Sequence, residues 1–234
     1  MHRLLTPELM DDPGLDPVSH AHALRGLARL NRLARSERIP WKSLRRWVDG
    51  RTRTEPFSVL DIATGSGDVP LALARHARHA NLDLELHGCD ISPVALEHAR
   101  ERAKALGMTF TGFRQDAIRE PFARSYDVVI CNLFLHHLTE ADAIRLLEHA
   151  AGACRGLLLV CDLRRDLLGW LLAGAFSRLV TRSRIVHVDA LKSVRAGFTP
   201  GELDVLARRA GLHGHVVHRR FPRRMLLEWS PGDD

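Results

Sequence analysis

The sequence predicts an α/β fold built on a doubly wound, mostly parallel sheet, and three observations carry that expectation. From Phe57 onward, short runs rich in Val, Ile, Leu or Phe alternate with helix-length segments, the pattern of successive βαβ units. The last two apolar runs, "GHVVHRRF" and "RRMLLEW", flank a turn at Pro222 and read as a terminal antiparallel hairpin. An acid or amide closes each of the first four strands: Asp61, Asp90, Asp116 and Asn132. In such sheets ligands bind outside the carboxyl ends of the strands, so four polar tips in phase with four apolar strands point to a binding crevice. At 234 residues the chain can bury a sizeable core with elements to spare.

Taken in order, residues 15–50 carry apolar side chains at helical spacing (Leu24, Leu27, Leu30, Ala34) and stop at Gly50. They predict two helices broken near Pro40, forming an N-terminal helical cap over residues 1–55. The polar stretch "RTRTEP" links this cap to the main domain, residues 56–234. Strands are expected at 57–61, 84–90, 109–114, 127–131 and 157–162. Helix signals separate them. Ser92 is an N-cap with Pro93 at the first helical position, an apolar stripe Leu96-Ala99-Ala103-Leu106 follows, and Gly107 is the stop. A second helix starts at Thr139. A third starts at Thr199 with a capping box to Glu202 and ends at Gly211. Residues 163–198 are longer than a crossover needs and include the apolar run Leu167–Val180, which predicts an inserted helical lid.

Hydrophobic residues make up 45% of the chain and charged ones 26%, the composition of a globular domain. The opening "MHRLLTPELMDDPG" lacks the apolar core of a secretion signal, and Leu167–Phe176 is too short to cross a bilayer. The four cysteines form no CxxC pair; reduced thiols in a cytoplasmic protein are expected rather than a disulfide frame or zinc site. The net charge of +6 admits an anionic partner such as a membrane surface in transient contact. Nucleic acid is disfavoured, because arginine is spread along the chain and one tyrosine is available for stacking. His213, His215 and His218 lie in an edge hairpin with no carboxylate close by in sequence, so a solvated strand is expected and no metal.

The turn Ala63-Thr64-Gly65-Ser66-Gly67 follows the first strand and opens a helix. Gly65 and Gly67 let the backbone pass close under a ligand, where a Cβ would collide. Asp90, 23 residues after Gly67, is placed to accept hydrogen bonds from a ribose diol. That suits a dinucleotide or S-adenosylmethionine. The dinucleotide fingerprint wants a small third residue where Pro70 stands, and Asp68 at the helix start would repel a pyrophosphate but not a sulfonium with its amino group. The balance favours S-adenosylmethionine.

On these residues the chain resembles a class I S-adenosylmethionine-dependent methyltransferase over roughly residues 57–230, which implies a seven-stranded Rossmann-like sheet. "VLDIATGSGD" resembles the family's glycine-rich motif, with Ala63 where glycine is commoner; "HGCDIS" resembles the ribose motif, "RQDA" the adenine motif and "YDVVICNLFLHHL" the fourth-strand motif. "FTPGELDVLARRAGL" resembles the helix before the terminal hairpin in small-molecule members. The resemblance implies that Asp61, Ala63, Thr64, Gly65 and Gly67 hold the methionine moiety and that Asp90 and Ile91 hold the ribose. It likewise implies that Asp116 receives the adenine amino group with Ala117 against the ring, and that Asn132 and Leu133 line the methyl-transfer face.

The fourth strand ends Asn132-Leu133-Phe134-Leu135 rather than in an Asn-Pro-Pro-Tyr motif, which disfavours amine methylation of bases. His136 and His137 follow, near the expected pocket mouth. Either is a candidate general base for a phenol or an acidic carbon, and in an extended loop the two side chains would point apart. The apolar insertion and N-terminal helices resemble the layout of ubiquinone- and menaquinone-biosynthesis methyltransferases. This implies a small, apolar aromatic acceptor (phenol, quinone or polyketide-like), with O- or C-methylation open. The alternatives are an RNA or protein methyltransferase, or a non-catalytic partner protein of the same fold. The oligomeric state is not legible.

Overall fold

The computed structural model describes residues 1–11, 14–51 and 54–232. Seven strands, β1 Phe57–Ile62, β2 Leu84–Asp90, β3 Thr111–Arg114, β4 Tyr126–Asn132, β5 Cys154–Leu163, β6 Val216–Arg220 and β7 Arg224–Trp229, form one sheet in the order β3-β2-β1-β4-β5-β7-β6. The pairs from β3 through β5 are parallel; β7 runs antiparallel to both β5 and β6. The doubly wound sheet with its terminal hairpin is therefore the observed fold.

The strands sort their side chains with a period of two. Leu60 and Ile62 of β1, Val129 and Cys131 of β4, and Leu158 and Val160 of β5 enter one apolar cluster. Val59, Val128, Ile130, Leu157 and Leu159 enter the other, across the sheet. Helices α5 (Glu140–Gly152) and α8 (Pro200–Arg209) cover the first face with Leu146, Leu147, Leu203 and Leu206. Helices α2 (Arg38–Val48) and α3 (Asp68–His79) cover the second with Leu44, Val48 and Leu73. Helix α4 (Pro93–Ala105) packs on β2 and β3. Burial on both faces is why these strands read as nearly continuous apolar runs.

Local signals place the helix starts. Ser92 accepts from the Ala95 N–H, Thr139 from the Asp142 N–H, and Thr199 and Glu202 complete their capping box. The N-terminal pair departs from expectation. Helix α1 (Pro17–Ala34) and α2 are separated at residues 35–37, where Arg35 adopts φ 48°, and Pro40 lies inside the first turn of α2. A first-turn residue needs no N–H for the helix, so proline is tolerated there. Leu27 and Leu30 are partly buried on α1; the Leu24 side chain lies outside the described residues. So do Thr52 and Arg53 of the expected polar linker. Leu44 and Val48 of α2 belong to the apolar core on this face of the sheet.

The inserted segment forms α6 (Leu167–Val180) and α7 (Arg184–Ala196), capped by Asp166 and Ser183. Its expected ends fall in the core: Leu163 is the last residue of β5, and Phe198 is fully buried beside Leu203 and Leu206. All four cysteines are buried and free of disulfides, in β2, β4 and β5. Burial pushes the Cys89 and Cys161 thiols up to about 12, so they are poor nucleophiles. Among the described residues no helix is long and apolar enough to cross a membrane.

Candidate functional site

The strand order reverses direction between β1 and β4, so a crevice opens at their carboxyl ends. Asp61 in β1 is buried, and that burial lifts its carboxyl to about 7, with the charges of Asp90 and Asp68 adding to the shift and the Thr64 hydroxyl opposing it. The turn that follows is left-handed at Ala63 (φ 53°), Gly65 (φ 54°) and Gly67 (φ 73°). A Cβ on Gly65 would meet open space, so this is where the backbone lies bare to a ligand. A Cβ on Gly67 would sit 3.1 Å from Ala99 Cβ of α4. The expectation that both glycines clear a ligand is corrected: Gly67 lets α3 begin tightly against α4. Ala63 carries the left-handed strain that a glycine would avoid.

Asp90 ties the crevice together. Its carboxylate accepts from the Gly65 N–H and the Ser92 N–H, each at 2.9 Å, fixing the glycine turn to the tip of β2. Ile91 beside it is 63% exposed, an apolar surface on the rim. The Gln115 N–H donates to the Asp90 carbonyl, bringing the turn after β3 alongside. There Asp116 accepts from the Ile118 and Arg119 N–H groups, and Ala117 is buried. Register places Ile62 beside Cys131, so Asn132 follows at the level of Ala63. Asn132 Oδ1 is buried and, among the described residues, has no hydrogen-bond partner. Leu133 turns left-handed (φ 57°) and its N–H donates to the Cys161 carbonyl. Asp68 pairs with Arg102 at 2.7 Å, so its charge repels an anionic ligand less than the sequence suggests.

Beyond β4 the chain makes a 3-10 turn at Leu135–His137. His136 is buried rather than at an open mouth. Its Nδ1 lies 2.7 Å from Asp162 Oδ1 and its backbone N–H donates to Asp162 Oδ2. Asp162, fully buried in β5, also accepts from the Leu163 N–H. Burial opposes its charge, but His136 and these N–H donors outweigh burial and hold the carboxyl below its ordinary range. Such a dyad fixes the imidazole's orientation and leaves Nε2 for chemistry. His137 is exposed, and in the turn the two rings lie 4.2 Å apart instead of diverging.

The N-terminal segment reaches the same place. Leu9 and Met10 N–H groups donate to the buried Asp189 carboxylate on α7, Lys192 Nζ donates to the Pro7 carbonyl, and Arg3 donates to the Ala196 and Leu138 carbonyls. This strap brings Glu8 to the histidines: one ligand atom from each of Glu8, His136 and His137 lies within 4.8 Å of the others. No spacing in the sequence announces it, because the anchor Asp189 lies 180 positions from Leu9. A cavity of about 960 Å³ adjoins the dyad, walled by Leu27 and Leu30 of α1, Leu172 and Phe176 of α6, and Val186 of α7, with Leu133 and His136 in its lining. The three C-terminal histidines do not gather. His213 lies before β6, His215 Nε2 lies 3.0 Å from Asp204 and His218 3.5 Å from Glu228, so carboxylates stand nearer than the sequence implies.

Residues 59–156 match the model of a methyltransferase domain family. A demethylmenaquinone methyltransferase of Thermus thermophilus is 37% identical over 84 residues, 36% of each chain. One of Deinococcus radiodurans is 30% identical over 148 residues, 61% of this chain and 57% of that one. The matches thus span less than two thirds of the length of these curated relatives. The plantazolicin methyltransferase BpumL, solved with a triazolic desmethyl analog and S-adenosylhomocysteine, shares the fold at a TM-score of 0.67 and 16% identity, covering 92% of this chain and 91% of that one. The seven-stranded order and the polar strand tips agree with these similarities, and the segment 59–156, from β1 into β5, is the part that matches the methyltransferase domain family.

Proposed function

We propose that this protein transfers a methyl group from S-adenosylmethionine to a small acceptor with an apolar aromatic body. The observation that carries the reading is continuity: Leu133, next to Asn132 with its unpartnered Oδ1 at the strand-tip crevice, also lines the apolar cavity beside His136. One ligand can occupy the crevice while another fills the cavity, with β4's tip between them. The demethylated quinone in the names of the two bacterial relatives, and the heterocyclic analog bound to BpumL, support an acceptor of that kind. S-adenosylmethionine, when bound, supplies an electrophilic methyl group on sulfur.

The chain's own residues supply position and proton transfer. The Gly65 turn and Asp61 hold the amino acid end, and Asp90 accepts from the ribose hydroxyls, its carboxylate already oriented by two backbone N–H groups. Ile91 packs on the ribose and adenine, while Asp116 and Ala117 bound the base. Asn132 Oδ1 gains the partner it lacks. His136 Nε2 takes the proton from an acceptor hydroxyl, and Asp162 keeps the Nδ1–H in place. Helices α6 and α7 serve as the lid that keeps water from the acceptor.

Calorimetric titration with S-adenosylhomocysteine followed by turnover with a panel of naphthols tests the reading; no binding, or binding without any turnover, would count against it. Asp90→Ala is expected to weaken cofactor binding by about 1–3 kcal/mol, because the ribose hydroxyls lose a charged acceptor. Unchanged affinity would remove the ribose assignment.

Asp61 makes binding pH-dependent. With its carboxyl at about 7, the folded state holds a proton that the unfolded state releases near 4. Native stability therefore falls as pH rises from about 4 to about 7. A ligand ammonium favours the ionised carboxylate. Affinity for S-adenosylhomocysteine should consequently rise about tenfold between pH 6 and pH 7.5, with proton release on binding. Titration in two buffers of different ionisation enthalpy reads that release directly, and Asp61→Asn should abolish it.

A further inference from the structure

The cavity's apolar wall does not account for Arg224. This residue opens β7 and lines the cavity, yet it is only 7% exposed. Its Nη1 is sealed from solvent and bonds to nothing, and among the described residues the guanidinium makes no ion pair. Across the hairpin its register partner is Arg220, which also lines the cavity. Two cations directly opposite on a sheet repel each other. Arg220 has Glu228 at 3.7 Å, and Arg223 has Asp166 at 3.6 Å; Arg224 has neither. Burial pushes its pKa below the ordinary arginine value, and the negative field of Asp162 offsets only part of that. The acids in the cavity lining are committed elsewhere: Glu8 accepts from the Ser193 hydroxyl, and Asp189 from two backbone N–H groups. Arg38 and Lys42 add exposed positive charge at the rim.

A buried guanidinium without an acceptor is costly, and the cost is relieved when an anion arrives. We propose that Arg224, with Arg220 opposite it, forms an anion subsite of the acceptor cavity, and that the acceptor is an aromatic compound bearing a carboxylate beside its apolar body. A single planar guanidinium matches one planar carboxylate, while the leucine and phenylalanine wall takes the ring system. The inference rests on the acceptor reading above and sharpens it from an apolar aromatic to an apolar aromatic acid.

The test uses the full chain and a matched pair of probes, 3-hydroxy-2-naphthoate and 2-naphthol, titrated by calorimetry with and without S-adenosylhomocysteine. The naphthoate is expected to bind roughly 10- to 100-fold more tightly. Arg224→Met should bring the two probes within about threefold, Arg224→Lys should keep part of the difference, and Arg220→Ala should reduce it. Equal affinity for the two probes in the unsubstituted chain, failure to bind the naphthoate, or a preference that survives in Arg224→Met would overturn the proposal. If the buried substitution prevents folding, the unsubstituted chain and Arg220→Ala still decide. Loss of S-adenosylhomocysteine binding would remove the methyl-transfer reading alone; a missing acid preference with cofactor binding intact removes only the anion subsite.

Discussion

Replacing His136 by alanine is expected to slow methyl transfer to a phenolic acceptor by about 10²–10⁴-fold while leaving S-adenosylhomocysteine affinity within about twofold. A phenol with a pKa near 10 is mostly protonated at neutral pH, so a positioned base contributes a factor of that size. In the proposed arrangement the cofactor crevice lies beyond Leu133 and does not use the imidazole. His136→Gln separates the two parts of the role. Glutamine can still donate to Asp162 Oδ1, now at 2.7 Å from the ring nitrogen, but it has no basic nitrogen. A rate for His136→Gln close to that of the unsubstituted protein would mean that positioning alone carries catalysis. The Glu8–His136–His137 grouping requires one control. If His136 acts as a base, treatment with a chelator leaves the rate unchanged. A rate lost to chelator and restored by a divalent cation would make the grouping a metal centre instead.

The second large effect is on folding. Asp162→Ala is expected to destabilise the protein by about 3–5 kcal/mol, because it leaves a buried imidazole and two backbone N–H groups, those of His136 and Leu163, without their acceptor. Denaturant unfolding at pH 7 measures it, and a loss under about 1 kcal/mol would show that water replaces the carboxylate. The sign of the pH dependence is opposite to that of Asp61. The folded carboxyl of Asp162 is held below its unfolded value, so its stabilisation is present above about pH 4 and is lost as the pH falls through the folded value. Asp162→Ala should therefore unfold less steeply in acid than the unsubstituted protein. Asp162→Asn retains the shape but not the charge. It should fold better than alanine and still turn over about 10²–10⁴-fold more slowly, because an amide does not hold the required tautomer.

Asp90 and Asn132 are legible because each ends a strand whose immediately preceding residues are buried; Asp61 is followed by the buried Ile62 within β1, and Asp116 lies two residues beyond the partly exposed β3. Helix starts are equally local: Ser92, Thr139 and Thr199 cap the N–H groups three residues on. The break near Pro40 is misplaced because proline signals a helix's first turn as readily as its end. The second glycine is misassigned for a different reason. Its neighbour is Ala99, on another helix, and nothing within the turn distinguishes it from Gly65.

By itself the sequence determined the parallel sheet, its terminal hairpin, the apolar helix Leu167–Val180 and the row of polar strand tips, all of which rest on periodicity and on contacts a few residues apart. Tertiary structure alone decided that His136 is buried against Asp162, 26 positions away, and that the first eleven residues are strapped over α7 by Asp189. It also decided that Arg224 lies in a cavity wall with its Nη1 unpartnered among the described residues. Each depends on a charged side chain losing its water. A charge in a sequence looks the same whether it will be solvated or buried, and only the packing of distant elements around it settles which.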